Sequence, residues 1–209
     1  DPEMSRGLGD VYKRQGYYTK FMDQSKVLSY YDDVEATFSN FAMSGINKRH
    51  FGLEAAASVP IYAGLSLNAA ISWGQFTYDN NPDYVQIQDN SGEIKNQGKV
   101  YWKNFRVEST PQTALNVGLS YRGPKNIFAS LDMNYYDNMY LSMSPLYRTD
   151  AVLTPGMTTE DIATLRNQEK FNSACVFNAS VGKNWYINRA YTLGFSLEVK
   201  NLLNNQNIK

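Results

Sequence analysis

The sequence contains few of the side chains from which catalytic and metal-binding centres are built. Among its 209 residues there is one cysteine, Cys175, and one histidine, His50. The single cysteine excludes an internal disulfide and is interpreted as a small apolar residue, and the single histidine gives little support for a catalytic triad or a multi-histidine metal site. The sequence also has no phosphate-binding glycine loop and no nucleophile elbow. We therefore predict no enzyme activity, no catalytic residues, no cofactor and no metal.

Two further absences narrow the choice of partners. The 20 basic and 20 acidic residues balance to a formal net charge of zero, so there is no basic stripe and nucleic acid is not an expected partner. No apolar run approaches the roughly 20 residues that a membrane-spanning helix needs. A membrane-spanning β-barrel stays open as an interpretation, because barrel strands hide half of their residues from lipid and give a weak hydropathy signal.

Tyrosine is the residue that the sequence has in abundance. There are 16 tyrosines beside 10 phenylalanines and 3 tryptophans. Aromatic residues favour β-strands, and tyrosine and tryptophan also suit the boundary between water and lipid. The composition therefore indicates an all-β chain and permits a membrane.

The clearest strand lies within 189–205, which reads RAYTLGFSLEVKNLLNN. At a period of two, one face carries Tyr191, Leu193, Phe195, Leu197 and Val199, and the other carries Thr192, Gly194, Ser196, Glu198 and Lys200. A soluble β-sandwich would turn the apolar face inward against a second sheet. A membrane barrel would turn the same face outward to lipid. The alternation alone leaves both interpretations open.

The same alternation predicts further strands and one helix. The other strands are expected at 16–23, 38–59, 65–73, 115–121, 127–135 and 175–181. The segment 79–98 is polar and rich in turn residues, and 101–107 is a candidate for one more short strand. A short helix is expected at 158–168, where Thr158 can cap the first turn and Glu160 and Asp161 suit its positive end. The chain thus reads as a meander of about seven main strands.

The connections between these strands alternate in length. The first, between 23 and 38, is of moderate length, and the others are short at 60–64, 123–124 and 188 and long after Tyr78 and Leu141. Alternate connections of an antiparallel meander lie at the same end of the sheet, so the long loops should share one rim and the short turns the other. This asymmetry is typical of outer-membrane barrels. The predicted fold is therefore an all-β, antiparallel up-and-down meander that forms part of a transmembrane β-barrel.

The barrel interpretation assigns a role to each strand face. Side chains expected to face a water-filled lumen are Glu54, Asn68, Asn116, Asp132, Asn134, Glu198 and Lys200. Aromatic residues beside the short turns are Tyr62, Tyr121, Trp185 and Tyr186. Such positions suit the aromatic girdle that anchors a barrel at a membrane interface.

The end of the sequence adds a family resemblance. A strand of this kind passing into VKNLLNN at 199–205 resembles the closing region of TonB-dependent outer-membrane receptors, many of which carry NLLN or NLFN near the penultimate strands. The resemblance covers most of 16–209 and is closest to receptors of Bacteroidetes-type bacteria. It implies that 16–209 is a fragment, about the C-terminal third, of a receptor barrel domain of 22 strands.

The resemblance also implies a function and partners. It places the chain in the bacterial outer membrane, surrounded by lipid, with energy for uptake supplied by a TonB complex acting through an N-terminal plug that lies upstream. The ligand implied is a scarce small molecule or glycan, such as an iron chelate (siderophore) or a cobalamin. The alternative is a non-transporting module, a soluble β-sandwich that presents its tyrosine-rich loops to carbohydrate.

The first residues are expected to stand outside the fold. Residues 5–15, SRGLGDVYKRQ, resemble the in-frame translation of a sequencing-library adapter. We therefore interpret 1–15 as an artefactual or disordered leader. The expectation is that these residues pack against nothing.

Aromatic and polar side chains are concentrated on the predicted long-loop rim. The candidate ligand-binding residues are Tyr78, Asp83, Tyr84, Tyr101, Trp102, Tyr140 and Tyr147. Such side chains offer stacking surface and hydrogen bonds, and function tends to concentrate on loops held by a rigid scaffold. The alternative for each is a place in an outer aromatic girdle. Tyr84 is far from the predicted strand ends, which favours ligand binding for this residue.

Overall fold

The computed structural model describes residues 11–33, 36–108, 110–153, 155–188 and 190–206. The strands are β1 Val11–Asp32, β2 Thr37–Tyr62, β3 Leu65–Tyr78, β4 Asp83–Gln88, β5 Ile94–Lys99, β6 Thr113–Arg122, β7 Ile127–Asp137, β8 Ala174–Ile187 and β9 Tyr191–Val199. Helix α1 covers Thr159–Arg166, and 3-10 turns lie at Pro124–Asn126, Leu146–Arg148 and Asp150–Val152. No helix in these ranges is long and apolar enough to cross a membrane.

The described strands form one antiparallel sheet. Its main order is β1, β2, β3, β6, β7, β8, β9. Along one side β2 pairs with β1, and along the other it pairs first with β3 and then, beyond the end of β3, with β4. The prediction of an all-β antiparallel meander is confirmed, and no second sheet is formed by the part of the chain that the structure describes.

Two sequence predictions about this region are wrong. The polar segment 79–98 contains the β4–β5 hairpin, in which Asp83 pairs with Lys99. The segment 101–107 is not a strand and contributes only the single bridge between Thr77 and Arg106. The segment 83–99 forms strands despite its polar composition because β2 offers backbone groups with which it can pair. β-propensity depends strongly on the neighbouring strand.

The boundary of the N-terminal leader also needs correction. β1 begins at Val11, and residues 11–15 pair with β2 from Val11 opposite Ser58 to Gln15 opposite Glu54. The expectation that 1–15 pack against nothing is therefore wrong for 11–15, since the backbone of β2 has groups to pair at this edge. Residues 1–10 lie outside the described residues, and the adapter resemblance stays a prediction. β1 also extends past the predicted end at residue 23 to Asp32.

The helix predicted at 158–168 is confirmed as α1. Thr158 is its N-cap: the Thr158 hydroxyl accepts a hydrogen bond from the backbone N–H of Asp161 at 3.1 Å. In return the Asp161 carboxylate accepts one from the backbone N–H of Thr158 at 2.8 Å. This capping box supplies partners for N–H groups that a helix start leaves unpaired. The bond from the Thr158 backbone also holds the pKa of Asp161 below its ordinary value.

One face of the sheet is polar and is laced by cross-strand hydrogen bonds. Ser58 donates to Asn68 at 2.7 Å, and Asn116 donates to Asn134 at 2.9 Å. The hydroxyls of Ser130 and Ser180 lie 2.8 Å apart. Glu54, on the same face, accepts a hydrogen bond from Gln15. Each of these pairs joins residues in direct register on neighbouring strands, so side chains of the polar face pair across β1–β2, β2–β3, β6–β7 and β7–β8.

The opposite face is apolar and uncovered. Its large exposed side chains include Leu53, Ile71, Trp73, Leu119, Leu131, Val181, Leu193, Phe195 and Leu197. Registers such as Leu53 with Trp73 and Val181 with Leu197 place these residues side by side across strands. The predicted separation of polar and apolar side chains onto two faces is confirmed.

The buried core lies at one end of the sheet, above its polar face. It consists of Phe41, Met43, Ile46, Tyr78, Tyr84, Val100, Trp102 and Met143. Phe41 and Met43 alternate along β2 with exposed or half-buried residues on the other face. A register shift at Gly45, whose φ is 68°, then brings Ile46 to the same side. The core is therefore built on the N-terminal part of β2, from Phe41 to Ile46.

Two phenylalanines on β2 allow a matched test of this core. Phe41 is 1% exposed, whereas Phe38 on the opposite face is 57% exposed. We expect Phe41→Ala to lower the local stability of the β4 pairing by about 3 to 5 kcal/mol, and Phe38→Ala to change it by less than about 1 kcal/mol. Hydrogen exchange of the β4 amides measures the difference. Equal protection of β4 in the two variants would contradict the placement of the core.

Candidate functional site: the loop cluster

The long connections all emerge at one end of the sheet. Residues 79–112 join β3 to β6 and residues 138–173 join β7 to β8, at the same end as the β1–β2 connection. The other end has only the short connections 63–64, 123–126 and 188–190. The prediction that the two long connections share one end is confirmed. The β1–β2 connection at that end, expected to be of moderate length, consists only of residues 33–36 and is as short as the turns at the other end. The described parts of 79–112 and 138–173 are called the loop cluster below.

Glutamine side chains anchor the loop cluster by acting as substitutes for a strand backbone. The amide of Gln112 pairs with both backbone groups of Phe76, accepting from its N–H at 3.1 Å and donating to its C=O at 3.1 Å. The amide of Gln168 does the same to Arg106, at 2.8 and 2.7 Å. These pairs satisfy backbone groups beyond the regular ladder, which fixes irregular chain firmly on the sheet.

A buried arginine ties the two long connections together. Arg148 is 5% exposed, and its guanidinium donates to the carbonyls of Ser144 at 3.1 Å and Asn167 at 2.6 Å. Its own carbonyl accepts from the backbone N–H of Tyr101 at 2.7 Å. Burial lowers the pKa of Arg148 from its ordinary value. The contacts join the segment before α1, the segment after it and the first long connection.

Three of the candidate ligand-binding residues are buried in the core between the loop cluster and the sheet. Tyr78, Tyr84 and Trp102 are 2%, 4% and 1% exposed. Tyr84 stacks on Phe41 with ring centroids 4.5 Å apart, and Tyr78 packs against Trp102 at 4.5 Å. Their rings pack on protein and hold the cluster together. Tyr84 in particular lies in β4 and faces the core, although its distance from the expected strand ends favoured ligand binding.

The other candidates lie at the surface of the loop cluster, apart from one another. Asp83 forms an ion pair with Lys99 across the β4–β5 hairpin at 2.6 Å. Tyr140 forms a bridge with Lys170, and Tyr147 is 55% exposed in a 3-10 turn. The structure thus brings Tyr78, Tyr84 and Trp102 together in the core and leaves Asp83, Tyr140 and Tyr147 as separate surface positions.

Tyr101 is the candidate with the most developed surroundings. Its hydroxyl donates to the Asp150 carboxylate at 2.7 Å, and the Arg166 guanidinium lies 4.2 Å from the centre of its ring. Arg166 also pairs with Asp150 at 3.3 Å. The hydrogen bond to Asp150 is the main cause that raises the pKa of Tyr101. The three side chains form an exposed patch that can offer both ring surface and charge to a polar ligand.

Sequence reasoning missed the charged residues of the loop cluster. Asp150 begins a 3-10 turn and Arg166 is the last residue of α1, and no motif marks them. Lys26, Lys48 and Glu108 meet only because β1, β2 and the first long connection converge. The part of the chain that the structure describes contains no group of acidic, histidine or cysteine side chains able to hold a metal ion. The arrangement is suited to binding.

Comparison of the chain with protein-family models, with curated proteins and with solved structures found no match.

The Tyr101 patch predicts a pH dependence. We expect Tyr101 to ionise above the ordinary tyrosine pKa of about 10, and Asp150→Asn to lower its pKa toward that value. Because the folded pKa is raised, the stabilisation from this contact is present at neutral pH and is lost as the pH rises through the raised pKa. Carbon-13 NMR titration of Tyr101, assigned with Tyr101→Phe, measures the pKa.

The control for this titration is Asp83→Asn. Asp83 is an exposed carboxylate of the loop cluster that pairs with Lys99, so its removal should leave the Tyr101 pKa unchanged. An identical Tyr101 titration in the wild-type chain and in Asp150→Asn would show that the hydrogen bond is not the cause of the shift.

Proposed function

We propose that the chain is part of the barrel of a TonB-dependent receptor in the bacterial outer membrane. In this proposal the sheet spans the membrane, with the apolar face against lipid and the polar face toward a water-filled lumen. The loop cluster lies outside the cell and captures a scarce ligand. Uptake is driven by a TonB complex through a plug domain, as the sequence resemblance implies.

The observation that carries the proposal is the uncovered apolar face. Phe195, Leu53 and Leu193 are 65%, 63% and 59% exposed, and they belong to a face that continues across the sheet. A water-soluble protein rarely leaves an apolar surface of this extent open to water. Lipid is the neighbour that matches this face, and the hydrogen-bonded polar ladder matches a wet interior.

The ends of the sheet support the same orientation. At the short-turn end Tyr62 is 79%, Tyr186 66% and Trp185 42% exposed. Aromatic side chains at the end of an apolar band suit the interface between lipid and water. Long extracellular loops at the opposite end and short periplasmic turns at this end follow the pattern of outer-membrane barrels.

The free edges of the sheet favour a larger barrel. β1 and β9 each have a neighbour on one side only among the described strands. Exposed strand edges are unfavourable in lipid because their backbone N–H and C=O groups lack partners. We infer that further strands cover both edges in a closed barrel.

The soluble β-sandwich alternative would need a second sheet against the apolar face. The described residues form a single sheet, so no specific observation favours a carbohydrate-binding sandwich. The ligand in the receptor proposal is an iron chelate, a cobalamin or a glycan, the classes that the resemblance implies.

A lysine scan of β9 tests the lipid-facing side. In the full-length receptor in lipid, Phe195→Lys should lower the free energy of unfolding by about 2 to 4 kcal/mol, because a charge at mid-membrane depth is poorly solvated. Ser196→Lys, the matched control on the polar face, should have a much smaller effect. Denaturant titration in vesicles measures both. Equal losses for the two variants would argue that the apolar face is not in lipid.

The surface tyrosines of the loop cluster test where the ligand binds. Tyr101→Ala and Tyr147→Ala should each weaken ligand uptake by about two- to tenfold, the size expected when one stacking ring is lost. Assembly in the outer membrane should not change. Point changes are preferable to removal of 80–98, because that segment contains Tyr84, which packs on Phe41.

The control for uptake is Tyr186→Ala, which removes an exposed ring from the short-turn end. Uptake should be normal in this variant. If Tyr186→Ala reduced uptake as much as Tyr101→Ala and Tyr147→Ala did, the loop cluster would not be the place of ligand capture.

A further inference from the structure

A small pocket lies where the loop cluster meets the C-terminal part of β1 and the N-terminal part of β2. Its walls include Lys26, Ile46, Lys48, Tyr78, Trp102 and Glu108, and its volume is about 220 Å³. A water molecule occupies about 30 Å³, so the pocket holds several waters or one small molecule. We call it the bulge pocket.

Irregularities in both paired strands form the bulge pocket. β1 has an extra residue between Phe21 and Gln24, and β2 has one between Met43 and Ile46. Backbone φ values of 54° at Asp23 and 68° at Gly45 mark the two bulges. Bulges redirect side chains and are common beside functional sites. Here Lys26 and Lys48, which lie beyond the bulges, both line the same pocket.

The two lysines lie over neighbouring aromatic rings. The Lys26 ammonium is 5.8 Å from the centre of the Trp102 ring, and the Lys48 ammonium is 5.5 Å from that of Tyr78. The two ring centres are 4.5 Å apart. Ring faces stabilise cations without neutralising them, so both ammonium groups keep their positive charge beside the pocket.

The only acidic group in the pocket wall is already engaged. Glu108 accepts a hydrogen bond from the Tyr78 hydroxyl at 2.9 Å and lies 3.9 Å from the Lys26 ammonium. Lys48 has no ion-pair partner among the residues that the structure describes. Two positive groups therefore face one negative group, and the pocket has an excess of positive charge.

The apolar residues of the pocket wall are almost fully buried. Trp102, Tyr78 and Ile46 are 1%, 2% and 3% exposed. The Trp102 indole Nε1–H has no hydrogen-bond acceptor among the described residues, and it is itself buried, so it does not open to the pocket. Lys48 is therefore the group that favours a negatively charged ligand.

We propose that the bulge pocket is a binding site for a small organic carboxylate. The carboxylate lies against the Lys48 ammonium. A chain of a few carbon atoms lies against Ile46 and the Tyr78 ring. The named wall residues all belong to this chain, so binding can be measured apart from transport.

The test uses the full-length receptor in detergent micelles with nitrogen-15 labelled tryptophan, and the Trp102 signal is assigned with Trp102→Phe. Sodium propionate and propionamide, which has the same shape without the charge, are titrated at constant ionic strength while the Trp102 indole signal is followed by NMR. We expect propionate to shift this signal with saturation below about 10 mM, propionamide to give no saturable shift, and inorganic phosphate to bind more weakly. Propionamide binding as tightly as propionate would overturn the proposal, and phosphate binding as tightly would overturn the assignment to organic carboxylates.

Three variants separate the site from general effects on folding. Lys48→Met should abolish propionate binding, whereas Lys103→Met, a change at an exposed lysine next to Trp102, should leave it unchanged. Glu108→Gln keeps an acceptor for Tyr78 and removes a repelling charge, so it should tighten propionate binding by about three- to tenfold. A gain of affinity cannot come from unfolding. Unchanged or weaker binding in Glu108→Gln, or normal binding in Lys48→Met, would overturn the proposal.

Discussion

The difference in length between β2 and β3 is the constraint on which the rest of the structure depends. β2 has 26 residues and β3 has 14. The N-terminal part of β2 therefore extends beyond β3 and needs another partner for its backbone. β4 supplies it, with Tyr84 opposite Met43. The same pairing stacks Tyr84 on Phe41, and the remaining loop cluster packs around this contact. A hairpin that continues a neighbouring strand thus converts a long polar connection into ordered structure.

The sheet and the loop cluster then divide the molecule by polarity. Polar residues pair across strands on the face that the loop cluster covers at one end, and the apolar face has no protein neighbour among the described residues. The bulge pocket lies at the border between the regular ladder and the loop cluster. Its position there follows from the two bulges, since regular strands would place Lys26 and Lys48 on opposite faces of the sheet.

The sequence predicts the regular part of this fold well, because a period of two is a local property. The faces of β9 and the capping box at Thr158 follow from neighbouring residues alone. The β4–β5 hairpin was missed although Val85 and Ile87 alternate with Gln86 and Gln88, since the polar surroundings suggested a loop. Burial of Trp102 and the convergence of Lys48 and Glu108 on one pocket depend on distant segments. Aromatic composition alone therefore predicts the correct end of the sheet for the candidate residues, but it does not predict that Trp102 is buried.

Spin labels placed one at a time at 192–198 of β9 can decide whether the apolar face lies in lipid. In the full-length protein in vesicles, collision with oxygen, which concentrates in lipid, and with a water-soluble nickel chelate is measured at each site. A lipid-facing side should give an alternation of period two, with high oxygen access at Leu193, Phe195 and Leu197 and high chelate access at Gly194, Ser196 and Glu198. High chelate access on both faces, or the opposite alternation, would contradict it.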